Sequence, residues 1–165
     1  MAASASFEEF YTATVDRLLG QLFLVTGDLH LAEEIIQEAF TRASMRWSHL
    51  RDYDRPEAWV RRVAMNLATD RARSLRRQTR ALLKLGPLPA MPAVSVETLV
   101  LVQALRTLPV RQRQAMVLHY MADLPIAEIA QALDVPSGTV KSLLARGRRA
   151  LAAKLGEPEE VFDRT

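Results

Sequence analysis

The stretch from Leu124 to Leu155, LPIAEIAQALDVPSGTVKSLLARGRRALAAKL, limits the possible folds more than any other part of the chain. It reads as two helices joined by a tight turn, the second of them basic. Pro125 suits the opening of the first, because proline lacks an N–H that a first helical turn leaves unbonded anyway. Ile126, Ile129, Ala130 and Leu133 follow at helical offsets and mark one apolar face. Pro136 disfavours a helical Val135, so the run breaks after Asp134. A second helix starts at Ser137, with Val140, Leu144, Gly147, Leu151 and Leu155 as its apolar stripe. Lys141, Ser142, Arg146 and Arg149 fall largely off that stripe. Residues 137–155 hold five Lys or Arg and no acid.

A second helix held out from such a hairpin fits the DNA major groove, its N-terminal half at the base edges. Arg and Lys pair with guanine O6 and N7, and Ser or Thr reaches base edges or phosphates. An ordinary helical hairpin with a solvated basic face has the same spacing, so the pattern alone leaves both open.

Charge is uneven along the 165 residues although the net value is only +3. Residues 8–38 hold seven acids against Arg17, a net of −6. Residues 55–80 hold eight arginines against Glu57 and Asp70, a net of +6. Two basic blocks and an acidic one suggest two nucleic-acid surfaces and one surface for another partner. Solvated helix faces are the plainer alternative. The chain has no cysteine, which excludes disulfides and thiolate metal sites. His30, His49 and His119 are far apart and lack ligand spacing, so no metal or other cofactor is expected. No apolar run reaches the ~18 residues of a membrane span. The opening MAASASFEEF lacks the basic and apolar regions of a secretory signal, so a cytoplasmic protein without membrane insertion is expected.

In chain order, Ser6 with Glu9 forms a capping-box pattern and opens a helix that Gly27 ends. Phe7, Tyr11, Leu18, Leu22 and Val25 lie along one side of it. Asp28 caps a second helix to about Leu50, with Leu31, Ile35, Ala39, Ala43, Trp47 and Leu50 inward. After a polar loop, Asp54-Arg-Pro-Glu57 starts a third helix to about Gln78. Trp59, Val63, Leu67 and Ala68 are its expected inner side, with Trp59 read as core rather than as a base-stacking group. An arginine-rich helix behind a loop with Tyr53 suits tracking phosphates and stacking an unpaired base; a plainly exposed helix reads the same way. Residues 83–94 carry three prolines and a glycine without helical period, a semi-extended linker. Helices follow over about Val96 to Arg106 and from Leu108-Pro109 to about Met121. The expected architecture is all-α: two small helical domains, 1–80 and 95–156, a linker at 81–94 and an acidic tail at 157–165. No phosphate loop, nucleophile elbow or paired-carboxylate constellation appears, so an enzyme is not expected.

Three stretches together carry a resemblance: LAEEIIQEAFTRA (Leu31 to Ala43), PEAWVRRVAMNLATDRAR (Pro56 to Arg73) and, beyond the proline-bearing linker, LPIAEIAQALDVPSGTVKSLLARGRRAL (Leu124 to Leu151). In this order and spacing they resemble the bacterial extracytoplasmic-function (ECF, group IV) sigma factors, over about residues 7 to 155. The resemblance implies two helical domains, sigma 2 and sigma 4, and a factor that recruits core RNA polymerase to promoters. It implies that the acidic second helix docks on the clamp coiled coil of the beta-prime subunit through Glu33, Glu34, Ile36, Gln37, Glu38 and Phe40. The beta flap is a further expected partner. It implies −10 recognition from the loop at 50–55 and the third helix, with Arg51, Tyr53, Arg55, Trp59, Arg62, Asn66 and Arg73 at matching positions. It implies −35 recognition by Thr139, Lys141, Ser142, Arg146 and Arg149. Leu143 stands where many members carry arginine, which removes one contact. The first helix is more apolar than usual (LLGQLFLV), which suggests a patch left for a regulator. Members are often held by an anti-sigma factor. A monomer is expected when the protein is free. A dimeric helix-turn-helix regulator, with the acidic helix as dimer surface, and an arginine-rich module for RNA or acidic proteins are the competing readings.

Overall fold

The computed structural model describes residues 5–79 and 94–156, and these form eight helices without a strand. The first four are α1 (Phe7–Thr26), α2 (Leu29–Met45), α3 (Trp47–Leu50) and α4 (Pro56–Thr79). The last four are α5 (Val96–Arg106), α6 (Val110–Tyr120), α7 (Ile126–Leu133) and α8 (Ser137–Leu155). Most of the expected linker and all of the acidic tail lie outside the described residues.

Local chemistry sets the ends as anticipated. Ser6 Oγ accepts from the Glu9 amide at 3.2 Å while Glu9 Oε2 accepts from the Ser6 amide at 2.9 Å, a complete capping box. Gly27 adopts φ +68° and its N–H donates to Phe23 O at 2.8 Å. Asp28 Oδ1 accepts from the Leu31 amide to open α2. The second helix stops earlier than expected. The Ser44 hydroxyl donates to Thr41 O, and the Arg46 N–H bonds three residues back to Ala43 O, so the last turn tightens. Residues 47–50 restart as α3, which turns Trp47 to stack on Phe10 at 5.0 Å. Phe7, Phe10, Tyr11 and Phe40 complete this aromatic cluster, with Tyr11 edge-on to Phe40 at 4.9 Å.

In α4 the buried apolar residues are Val60, Ala64, Met65 and Ala68, whereas Trp59, Val63 and Leu67 are half-buried beside them. The inner arc is rotated from the expected stripe because α4 is enclosed twice, by α1 and α2 on one side and by α6 and α7 on the other. Small alanines let those helices approach, and alanine gives no strong periodic signal. In α8, Val140, Leu144, Gly147 and Leu151 are buried as expected, but Leu155 in the final turn is 41% exposed and Ala152 takes its place. A Cβ on Gly147 would lie 2.7 Å from Met116 Cγ, so the absent side chain lets α8 cross α6 closely.

The two helical groups share one apolar cluster. The apolar surface of α1, expected to remain for a regulator, is instead turned inward or packed on α5 and α6. Its unusual apolarity has this internal use. Gln114 of α6 is completely buried against α4: its Nε2 donates to Met65 O at 2.9 Å and to Thr69 Oγ1 at 3.0 Å. Arg113 Nη1 donates to Val25 O at the end of α1 at 2.6 Å, and its Nη2 to Leu108 O at 3.2 Å. Burial and the neighbouring Arg106 and Arg76 push the Arg113 pKa down to about 10, so it is still a cation at neutral pH. Its position at the carbonyl end of α1 is where a cation is favoured.

Gly27 lies at this seam, and an added Cβ would meet Arg106 Cγ at 2.9 Å. Gly27→Ala combines the left-handed conformation with that collision. It is expected to cost about 1–2 kcal/mol, read from the midpoint of urea unfolding.

Candidate nucleic-acid and polymerase interfaces

The loop at 51–55 is held from below by Leu50, which is buried, and by its own turn hydrogen bonds: Arg51 N–H to Trp47 O at 2.9 Å and Tyr53 N–H to Leu50 O at 3.0 Å. Arg51, Tyr53 and Arg55 consequently project outward, with Tyr53 55% exposed. Trp59 sits at the edge of the same surface, half-buried. An exposed phenol beside guanidinium groups offers a stacking face with phosphate-binding groups at hand.

Arg62, Asn66 and Arg73 follow on α4 at offsets of four and eleven, one stripe of a helix, and all three are exposed. Thr69 belongs to the same stripe and is buried under Gln114, so the row runs along the seam with the second helical group. Arg61, next to Arg62, is buried and was not anticipated from the sequence. Its Nη2 donates to Glu57 Oε1 at 3.0 Å and its Nε to Gln21 Oε1 at 3.2 Å. Arg17 makes a two-point contact with the same carboxylate, at 2.9 and 2.6 Å. Burial lowers the Arg61 pKa and Glu57 opposes that. This network pins the start of α4 to α1 and fixes the direction in which the loop and Arg62 point.

The acidic surface of α2 shows Glu33, Glu34, Gln37 and Glu38 outward. Ile36 and Phe40, expected on that surface, are each only 3% exposed. They belong to the core beneath it, because α2 is covered by both α1 and α4 and so buries a wide stripe; Phe40 is held by the aromatic cluster. The carboxylates are also partly countered. Glu34 lies 3.5 Å from His30 and 3.6 Å from Arg71, and Glu38 lies 2.6 Å from Arg42 and 4.0 Å from Arg71. The surface therefore combines net negative charge with preset charge pairs, which a partner of mixed charge would exchange.

In the hairpin of α7 and α8, Asp134 closes α7 in the left-handed conformation at φ 55°. Arg111 Nη1 ties the end of α7 to α6 by donating to Leu133 O at 3.0 Å. Pro136 precedes α8, and Thr139, Lys141, Ser142, Arg146 and Arg149 are all exposed along it. Leu143 is half-buried and faces the core margin. His119 packs edge-on to Tyr120 at 4.7 Å. Among the described residues no cluster of His, Cys, Asp and Glu could hold a metal ion, and no helix is long and apolar enough to cross a membrane.

A two-lobed helical fold with a helix-turn-helix behind an arginine-bearing helix defines a class, and comparison with known proteins names it. Residues 10–78 match the model for sigma-70 region 2, and residues 98–151 match sigma-70, region 4. The chain is 31% identical to the ECF RNA polymerase sigma factor SigW of Bacillus subtilis, over 91% of this chain and 89% of that one. It is 30% identical to the RNA polymerase sigma-E factor of Streptomyces coelicolor, over 94% and 89%. In three dimensions it is similar to the sigma factor RpoE, solved in complex with the anti-sigma factor NepR from Bartonella quintana. The TM-score is 0.77 at 19% identity, over 91% of this chain and 96% of that one. The chain belongs to the ECF sigma factors of the sigma-70 family, a family of non-catalytic factors in transcription initiation.

The buried network makes a differential prediction. Glu57→Gln leaves Arg61 buried without its carboxylate and is expected to destabilise the protein by about 2 kcal/mol. Arg17→Ala, removing an arginine that is half-exposed, is expected to cost only about 0.5 kcal/mol. Urea unfolding of both variants checks the ratio.

Proposed function

We propose that this protein is a group IV sigma factor that binds core RNA polymerase and directs initiation at promoters with specific −10 and −35 elements. The observation that carries the reading is the polar row Thr139, Lys141, Ser142, Arg146 and Arg149, exposed on the second helix of a helix-turn-helix. That helix reads the −35 element in the major groove. Arg and Lys address guanine edges, Ser and Thr address bases or phosphates. Residues 1–80 form the sigma 2 domain, 95–156 the sigma 4 domain, and 81–94 the linker between them.

Arg51, Tyr53, Arg55, Arg62, Asn66 and Arg73 engage the −10 element. Exposing one base costs a few kcal/mol, and stacking on an aromatic ring together with arginine contacts offsets it. Glu33, Glu34, Gln37 and Glu38 form the contact with the clamp coiled coil of the beta-prime subunit, with Ile36 and Phe40 supporting them from the core. The beta flap receives the sigma 4 domain. The free protein is a cytoplasmic monomer open to an anti-sigma factor. Each DNA surface is small, so affinity depends on both domains docking on one enzyme, which raises the effective concentration of the second contact.

Run-off transcription with core polymerase on genomic templates is the test. The purified protein is expected to bind core and to define discrete start sites, and failure of both refutes the reading. On a promoter found in this way, Arg146→Ala is expected to weaken −35 recognition by about 1–3 kcal/mol, concentrated at one base pair. An equal loss on every sequence would make Arg146 a phosphate contact instead.

A further inference from the structure

Near Gly27, where the two helical groups meet, a cleft of about 380 Å³ opens between the end of α1, the second half of α4 and the α5–α6 junction. Arg73, Arg76, Arg106 and Arg113 all line it, and no Asp or Glu is among its described lining residues. Other arginines of α4 meet carboxylates: Arg61 meets Glu57, Arg62 meets Asp134 and Arg71 meets Glu34. Arg113 is held by Val25 O and Leu108 O, yet its Nε is buried and has no hydrogen-bond partner among the described residues. Burial, Arg106 and Arg76 all act against its charge.

Helix ends offset only part of this charge. A carbonyl end favours a cation, but each carries about half a unit of negative charge, so even the ends of α1, α4 and α5 together supply about 1.5 units against four guanidinium cations. The start of α6 adds the opposite sign: Pro109 and Val110 line the cleft, and no side chain caps that first turn. The balance is an excess of about two to three positive charges.

We propose that this cleft is a binding site for a small organic diphosphate, of the size and polarity of a nucleoside diphosphate. A guanidinium fork donates to two phosphate oxygens at once, and a diphosphate carries about three negative charges at neutral pH, which matches the excess. The remaining wall is apolar, with Val25, Leu31, Ala68 and Leu108, and suits the flat, weakly polar body that bears the phosphates. The volume lies at the small end of ligand sites, which run from about 300 to 1,000 Å³. A hollow of this size takes a free molecule rather than a duplex. Both helical groups supply walls, Leu31 and Arg76 from the first, Arg106 and Leu108 from the second. A bound diphosphate consequently ties them together and stabilises the whole chain by mass action. Of the four arginines only Arg73 also belongs to the proposed −10 row, so the site does not depend on that assignment.

The experiment titrates the full chain with ADP at constant ionic strength, by calorimetry and by urea unfolding. ADP is expected to bind one to one with a dissociation constant below about 1 mM and to raise the unfolding midpoint. Pyrophosphate is expected to bind about tenfold more weakly, and adenosine not to bind detectably. Arg76→Gln is expected to weaken ADP binding about tenfold without lowering the midpoint in the absence of ADP, because that side chain is exposed. Arg46→Gln, which removes an exposed arginine at the far end of α2, is expected to change neither. Ala72→Leu fills the cleft with every arginine in place and is expected to abolish binding. Absence of ADP binding to the wild type, or equal affinity of the Arg76→Gln and Arg46→Gln variants, overturns the proposal. Pyrophosphate binding as tightly as ADP overturns the part given to the apolar wall. Displacement of ADP by a single-stranded thymine oligonucleotide that binds more tightly makes the cluster a nucleic-acid surface and overturns the small-molecule site. Run-off transcription judges the sigma-factor reading separately.

Discussion

The arrangement of the whole molecule depends on one buried amide. Gln114 is fully enclosed between α6 and α4, and it keeps both donor hydrogens bonded, to Met65 O and to Thr69 Oγ1. An amide left unbonded in an apolar contact costs about 1–3 kcal/mol. Sliding α6 along α4 by one turn would incur that cost, so the hydrogen bonds fix the register of the two domains. Once α6 is fixed, α7 necessarily lies over the exposed stripe of α4, and Glu128 and Asp134 arrive beside Arg55 and Arg62. Purely apolar packing would hold the domains together without choosing this register so sharply.

Close approach elsewhere serves the same end. Gly27 lets the end of α1 sit against Arg106, and Gly147 lets α8 cross α6 against Met116. The Arg17–Glu57–Arg61 network sets the start of α4.

Much of this was legible in the sequence because it is local. The caps at Ser6, Gly27, Asp28, Pro125 and Pro136 each depend on neighbours a few residues away, and the helices begin and end there. The polar row on α8 was legible for the same reason: spacing alone separates it from the stripe of Val140, Leu144 and Leu151. What escaped was long-range. The rotation of the α4 core is due to helices on both its flanks, and alanines leave little periodic trace. Ile36 and Phe40 fit the outward surface by position but fill the core because α2 is covered on two sides. Beside the shared apolar cluster, the polar contacts of the seam join Gln114 with Thr69, Arg113 with Val25, and Arg55 with Glu128, pairs 45, 88 and 73 residues apart. All are polar, so hydrophobic patterning says nothing of them, and two domains joined by a linker read as independent.

The proposed function has one chain read two separate promoter elements with two domains docked on core polymerase. Site-directed photocrosslinking tests this most directly, with a crosslinker at Ser142 on α8 and another at Tyr53 in the loop before α4, in holoenzyme bound to a promoter. The expected result is crosslinks at the −35 element from Ser142 and at the −10 element from Tyr53, both dependent on core polymerase. Crosslinks from both positions at one locus, or crosslinks of equal strength without polymerase, would contradict it.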